Sequence, residues 1–233
     1  MRQIVSLPVM PPMPRKPKES AREYAIRALK HNIVTLNFAP GTSVSAAELA
    51  EMLGVSRTPI REAMQELDKI GLLKVYPQAG SRISHIDLSA ITELHFIRLA
   101  LEQAVVDRAC DCIGPQEYLK FEEMLQMQKY HLKSGQKELL LEQDNLFHRY
   151  LYEMTDRMVA YDIMADYQCH FDRVRRLNLD SWADQRLINE HRGLFEAIKR
   201  GDKPAAKNAV AAHLSRHFAD ERQVSNHPEY FIN

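Results

Sequence analysis

Apolar residues recur every three or four positions through the second part of the chain, as Ile91, Leu94 and Ile97 illustrate. This spacing matches the 3.6 residues of a helical turn, so each run is expected to bury one face of an amphipathic helix. The runs predict helices over about 89–111, 115–134, 136–155, 157–179, 184–200 and 202–222. This part of the chain is therefore expected to be an all-helical bundle.

The first part of the chain carries a different pattern, in which short helices precede a pair of strands. Ser20 and Ser45 are each followed three positions later by a glutamate, which is the arrangement of a capping box that opens a helix. A third helix is expected to begin after Ser56, which would cap it. Residues 72–76 and 81–84 are predicted strands joined by a turn. Three helices and a hairpin in this order predict a winged helix-turn-helix.

These patterns predict a mainly α protein with two domains. The winged helix-turn-helix is expected over 20–86 and the helical-bundle domain over 87–223. Residues 1–19 are rich in proline and basic near their end, so they are expected to form a flexible basic arm. Residues 224–233 are expected to be a loose tail.

Charge divides the chain at nearly the same place. The whole sequence of 233 residues has a formal net charge of zero. Residues 1–86, however, carry 12 basic and 7 acidic side chains, whereas 87–233 carry 19 and 24. A basic first part suits a nucleic-acid partner, and an acidic second part indicates a different role.

The remaining composition favours a cytoplasmic protein. No apolar run approaches the ~18 residues of a membrane helix, and the start of the chain lacks the features of a signal peptide. Cys110, Cys112 and Cys169 lie in helical patterns, and their odd number does not suit a disulfide framework. They are expected to be reduced thiols.

The start of the third helix carries the chemistry of a DNA-reading element. Ser56, Arg57, Thr58 and Arg61 place hydroxyls and guanidinium groups at a helix N-terminus, which favours phosphate. Arg57 and Arg61 are four positions apart and share one face, so both can enter a major groove and bind guanine. Gly80 lies at the expected wing tip, where the backbone could approach the neighbouring minor groove.

A different interpretation is that the two arginines only pair with acidic neighbours on the helix surface. Glu62 and Glu66 are close enough in sequence to be those partners. From spacing alone, both interpretations of Arg57 and Arg61 stay open.

Histidines and a carboxylate in the helical part form a candidate metal site. Asp144 and His148 are four positions apart on one helix face. His191 and His213 lie at similar distances on either side of a short loop, so they are expected at similar heights on antiparallel helices. The set suits Zn, Ni, Mn or Fe. For each histidine alone, hydrogen-bonded packing in the core is the alternative.

The residues 24–86 resemble the DNA-binding domain of the GntR family of bacterial regulators. The family's signature, Ser-Arg-Thr-Pro-hydrophobic-Arg-Glu-Ala, stands at 56–63. The resemblance implies that Arg57, Thr58 and Arg61 contact double-stranded operator DNA and that Gly80 belongs to the wing tip. Such proteins bind palindromes as dimers, so a homodimer is expected.

The residues from about 88 to 218 resemble the FadR C-terminal domain, the helical effector domain of a GntR subgroup. The matching segments are 96–102, 144–148, 191–202 and the Ala-His-Leu around His213. The resemblance implies a divalent metal held by Asp144, His148, His191 and His213, and a small carboxylate or sugar acid as effector.

Two arginines are candidates for binding the effector's carboxylate. Arg98 stands in the first matching segment, and its alternative is a surface pair with Glu102 one turn on. Arg175 is the second candidate, and its alternative is a solvated helix face.

The sequence as a whole predicts a metabolite-responsive DNA-binding transcription regulator that acts as a repressor. One alternative is a regulator that senses the metal ion itself. Another is a metal-dependent hydrolase, because an open metal position could activate water. Against the hydrolase, no neighbouring motif supplies a nucleophile or base, so a non-enzyme is expected.

Overall fold

A computed structural model of the chain describes residues 13–76, 80–217 and 221–232. The first compact unit comprises 13–88, 172–176 and 221–232, and the second comprises 89–171 and 177–217. The elements, in chain order, are α1 (Ala21–Val34), β1 (Ser43–Val44), α2 (Ala46–Leu53), α3 (Arg57–Lys69), β2 (Leu73–Tyr76), β3 (Gly80–Ile83), β4 (Ile86–Asp87), α4 (Leu88–Cys112), α5 (Pro115–Lys133), α6 (Lys137–Met154), α7 (Met158–Leu177), α8 (Leu179–Trp182), α9 (Gln185–Lys199), α10 (Lys203–Leu214), α11 (Glu221–Asn226) and β5 (Phe231–Ile232).

Three capped helices form the core of the first unit. Ser20 and Ser45 both make the predicted capping boxes, so α1 and α2 begin where the sequence indicates. Gly54 ends α2 with φ +64°, a left-handed conformation that glycine adopts without strain. α1 packs on α3 through a common set of buried residues, which are Ala25, Ala28, Leu29, Ile33, Ile60, Ala63, Met64 and Leu67.

A small antiparallel sheet completes the winged domain. The strands lie in the order β1-β3-β2, with Ser43 opposite Arg82 and Val75 opposite Ser81. The hairpin of β2 and β3 is confirmed, whereas β1, which has two residues, is not predicted by the sequence. The predicted turn at 77–80 falls mostly outside the described residues, which resume at Gly80.

Both terminal segments are more ordered than the sequence predicts. Glu19 receives hydrogen bonds from Arg27 at 2.6 and 2.7 Å, and Arg27 also donates to the Pro14 carbonyl at 3.0 Å. Residues 14–19 are therefore held against α1 rather than free, while 1–12 of the expected arm lie outside the described residues. The expected tail at 224–233 is also wrong over its described part, because it contains the end of α11, a 3-10 helix (Pro228–Tyr230) and β5.

The second unit is the predicted helical bundle. Gly201, with φ +68°, turns the chain between α9 and α10, which pack against each other. Phe121, Phe147 and Phe195 stack in the core with ring centroids 5.1–5.2 Å apart. The predicted helix 202–222 is too long, since α10 stops at Leu214 and a 3-10 helix (Ser215–His217) follows. No helix in the described ranges is long and apolar enough to cross a membrane.

The Glu19–Arg27 pair predicts an acid-dependent contribution to stability. The hydrogen bond from Arg27 lowers the pKa of Glu19 to about 2, from an ordinary 4.5. A depressed pKa in the folded state stabilises the fold above about pH 4.5, and this contribution is lost as the pH falls towards 2. We expect Glu19→Gln to lower the urea midpoint at pH 7 and the difference from wild type to shrink between pH 5 and pH 3.

Glu51→Gln is the matched control, because Glu51 is exposed on α2 and forms no ion pair within the described ranges. A difference between wild type and Glu19→Gln that stays constant down to pH 3 would contradict the assignment.

Candidate metal centre and DNA-recognition helix

The DNA-reading residues predicted from the sequence lie together at the exposed start of α3. Ser56, Arg57, Thr58 and Arg61 are all exposed, while the opposite face of α3 is buried in the winged domain. Ser56 occupies the N-cap position, but its hydroxyl makes no capping hydrogen bond, so that detail of the prediction is wrong. The first turn of α3 therefore presents cationic and hydroxyl groups beside a helix N-terminus, where an anion is favoured.

The acidic neighbours on α3 have other partners than its two arginines. Arg22 on α1 reaches Glu62 at 3.9 Å and Glu66 at 2.9 Å. Neither Arg57 nor Arg61 forms an ion pair in the part of the chain that the structure describes. The surface-pair interpretation of these arginines is not what the structure shows, and both guanidinium groups face solvent.

Gly80 opens β3 at the described edge of the wing. Its φ is +93°, which L side chains rarely adopt, so a substitution would strain the backbone even though a Cβ would meet nothing within 4 Å.

The structure brings the four predicted metal ligands together in the helical unit. Asp144 and His148 lie on α6, His191 on α9 and His213 on α10, and all four are buried. The Nε2 atoms of His148 and His213 are 2.9 Å apart, and those of His191 and His213 are 3.3 Å apart. One carboxylate oxygen of Asp144 lies 3.3–3.9 Å from all three. Their ligand atoms therefore converge on one point.

The other ring nitrogen of each histidine is held by a hydrogen-bond acceptor. Nδ1 of His148 meets Glu102 at 2.6 Å, and Nδ1 of His213 meets Glu190 at 3.1 Å. Nδ1 of His191 meets the side-chain oxygen of Gln128 at 2.9 Å. Because these oxygens accept hydrogen bonds, each Nδ1 carries the hydrogen and each neutral ring turns the lone pair of Nε2 to the common point.

Lone pairs at such distances repel one another unless a proton or a metal cation lies among them. Burial, followed by the nearby charge of His213, lowers the pKa of His191 to about 3, so this ring is neutral near pH 7. For His213, burial is outweighed by Asp144 and Glu190, and its pKa is raised. Three nitrogens and one carboxylate oxygen are a set that Zn and neighbouring transition metals accept, so the residues fit the implied metal.

A cavity adjoins this cluster through His148. Its volume is about 310 Å³ including the open mouth, and its lining residues are Arg98, Glu102, Asn145, His148, Tyr152, Tyr161, Met164, Ala165 and Gln168. Arg98 and Glu102 form the pair that the sequence offers as an alternative, with Nε and Oε1 2.6 Å apart. The pair is not on the surface, however, because both side chains are at most 3% exposed.

Arg175, the second effector candidate, is not among the residues that line this cavity. It is buried and forms an ion pair with Asp172. The alternative of a solvated helix face is therefore also wrong for Arg175.

The sequence analysis does not identify the residues that orient the histidines. Glu102 could have been found from its position one turn after Arg98, and Tyr152 from the four-residue spacing that continues Asp144 and His148. Gln128 and Glu190 carry no such signal, since they meet the cluster from α5 and α9.

Comparison with known proteins supports both domains. Residues 21–83 match the model of bacterial regulatory proteins of the gntR family, and residues 93–216 match the FCD domain. The chain belongs to the GntR family of bacterial regulators. It is 31% identical over 209 residues to the HTH-type transcriptional repressor RspR of Escherichia coli, covering 89% of this chain and 92% of that protein.

Other GntR proteins give the same family and fold. An uncharacterised HTH-type regulator of Streptomyces ambofaciens is 32% identical and covers 87% of this chain and 86% of its own. The structure of Escherichia coli McbR matches with a TM-score of 0.72 at 22% identity, over 84% of this chain and 94% of that one. GntR-family members are transcription regulators and not enzymes, so this chain is a regulator and the hydrolase interpretation is set aside.

The buried Arg98–Glu102 pair predicts a large effect of neutralising one partner. Burial opposes the ionisation of Glu102, but Arg98 and His148 outweigh it and lower its pKa. Glu102→Gln would leave the Arg98 charge uncompensated, and we expect a loss of about 3 kcal/mol in the free energy of unfolding. Urea unfolding followed by circular dichroism measures it.

The double variant Arg98→Met, Glu102→Gln removes both charges and is expected to recover most of this loss. Equal stability of wild type and the single variant would show that the pair does not hold a buried charge.

Proposed function

We propose that this GntR regulator is a repressor whose affinity for operator DNA responds to a small carboxylate bound beside a divalent metal. The observation that carries the DNA part is the pair of exposed guanidinium groups at the start of α3, which no acidic side chain in the described ranges neutralises. Repression is the activity in the printed name of RspR, and we extend it to this chain.

In this proposal α3 lies in the major groove. Arg57 and Arg61 bind guanine edges, and Ser56 and Thr58 bind phosphate oxygens. The N-terminus of α3 attracts phosphate, and Gly80 lets the wing backbone approach the minor groove. A homodimer in the cytoplasm would place two such helices on a palindrome.

The metal would be held by Asp144, His148, His191 and His213. The support is that three oriented Nε2 atoms and one carboxylate oxygen converge in a buried site. A bound divalent ion would supply positive charge to which a carboxylate can be attracted. Glu102, Gln128 and Glu190 would keep the three rings turned towards it.

The effector would occupy the cavity that adjoins His148. An acid there changes DNA affinity only if it binds the DNA-competent and DNA-incompetent states with different affinity. Metal sensing remains the second candidate, because the same buried cluster could report the ion alone.

Arginine substitutions on α3 test the DNA assignment. We expect Arg57→Ala and Arg61→Ala each to weaken binding to an operator duplex, selected by the wild-type protein from a random pool, by about 1–3 kcal/mol, or roughly 5- to 150-fold. Fluorescence anisotropy at fixed salt measures the affinity. Lys69→Ala is the control, because Lys69 is a basic residue at the other end of the same helix. Losses no larger than that of Lys69→Ala would contradict the assignment.

Metal removal tests the second part of the proposal. Native mass spectrometry of the full chain is expected to find one divalent metal, and His213→Ala is expected to weaken its binding by more than about 100-fold. His131→Ala is the matched control, since His131 is buried in the same unit but bonds to Gln136 outside the cluster.

Operator affinity of the metal-loaded and chelated protein, each with and without a panel of small acids, separates the two modes of regulation. A response to acids that requires the metal supports the proposal. A response to the metal without any acid favours the metal sensor. The absence of bound metal, or an acid response unaffected by chelation, contradicts the metal assignment.

A further inference from the structure

The cavity beside the cluster contains a balanced pair of charges before any effector enters. Arg98 is the lining residue with a permanent positive charge, and its Nε already donates to Glu102 at 2.6 Å. Glu102 in turn accepts from Nδ1 of His148 with its other oxygen at 2.6 Å. Arg98 is thus committed to a carboxylate of the protein, and a ligand carboxylate would have to compete with Glu102 for it.

The metal would therefore supply the uncompensated charge of this region. A divalent ion together with the Asp144 carboxylate and three neutral imidazoles has a net charge of one positive unit. Glu190, which orients His213, is itself paired with Arg216 at 3.1 Å. Arg149 lies 5.9 Å above the Tyr161 ring, but it is exposed and does not line the cavity. This balance accommodates one carboxylate and disfavours a second.

Tyr152 adds a polar group that the described protein does not satisfy. Its side chain is 2% exposed and lines the cavity, and its hydroxyl has no hydrogen-bond partner in the described structure. A buried hydroxyl without a partner is unfavourable by about 1–3 kcal/mol, so a ligand that meets it gains affinity. Tyr152 follows His148 by one helical turn, which places both on the same face of α6.

We infer that the effector carries a single carboxylate and a hydroxyl group, and that Tyr152 selects this hydroxyl. The inference rests on the proposed function, because it assigns the carboxylate to the metal of the same site. A second carboxylate would lie beside Glu102, where the two negative charges repel, or would have to displace Glu102 from Arg98. Hydroxy monocarboxylates are therefore preferred over dicarboxylates of equal length.

Binding of matched acids to the full chain loaded with one equivalent of Zn²⁺ tests the inference. Isothermal titration compares propionate and butyrate with lactate, 3-hydroxypropionate and 4-hydroxybutyrate, and with malonate and succinate as dicarboxylates. In wild type, the best hydroxy acid is expected to bind about five- to tenfold more tightly than the acid that lacks its hydroxyl. Both dicarboxylates are expected to bind more weakly than that hydroxy acid.

Tyr152→Phe removes the hydroxyl and keeps the ring. In this variant the hydroxy acid and its deoxy analogue are expected to bind equally, with the affinity of the deoxy analogue unchanged. The ligand-free variant should melt at the same temperature as wild type or higher, because a hydroxyl without a partner is removed. Tyr150→Phe is the matched control, since Tyr150 lies on the same helix but does not line the cavity.

Two results would overturn the inference alone. One is tighter binding of a dicarboxylate than of every hydroxy acid, and the other is a preference for the hydroxy acid that survives in Tyr152→Phe. If no acid binds the zinc-loaded chain, both the inference and the effector part of the proposed function fail.

Discussion

The arrangement on which the helical unit depends is the convergence of three imidazole nitrogens on one carboxylate in a buried site. His148, His191 and His213 come from three helices, so their common point constrains how α6, α9 and α10 pack. The ring of His191 also stacks on Phe147, with centroids 4.1 Å apart, which joins the polar cluster to the aromatic core. A cation at this point would stabilise the packing, because nearby lone pairs would otherwise repel.

The sequence predicts this cluster because periodicity carries geometric information. Asp144 and His148 are one turn apart, and a short loop between two helices implies that His191 and His213 face each other at similar heights. The capping boxes at Ser20 and Ser45 similarly mark the helix starts that build the winged domain. In each case the relevant residues are close in sequence or related by a single turn of the chain.

The features that the sequence does not predict depend on contacts between distant segments. Gln128 reaches His191 from another helix, and the burial of the Arg98–Glu102 pair depends on how the neighbouring helices cover α4. Arg175 has the composition of a solvated face but is buried beside Asp172. Local patterns place such side chains on a helix, while only the tertiary packing decides what they meet.

The pairing of β4 with β5 has a consequence for synthesis of the protein. Ile86 lies opposite Phe231, so some 145 residues of chain separate the two partners. The ribosome must therefore deliver the whole helical unit before this contact of the winged unit can form. A nascent chain that has completed α3 and the wing still lacks β5, so the first domain to be translated acquires its last strand only near the end of translation.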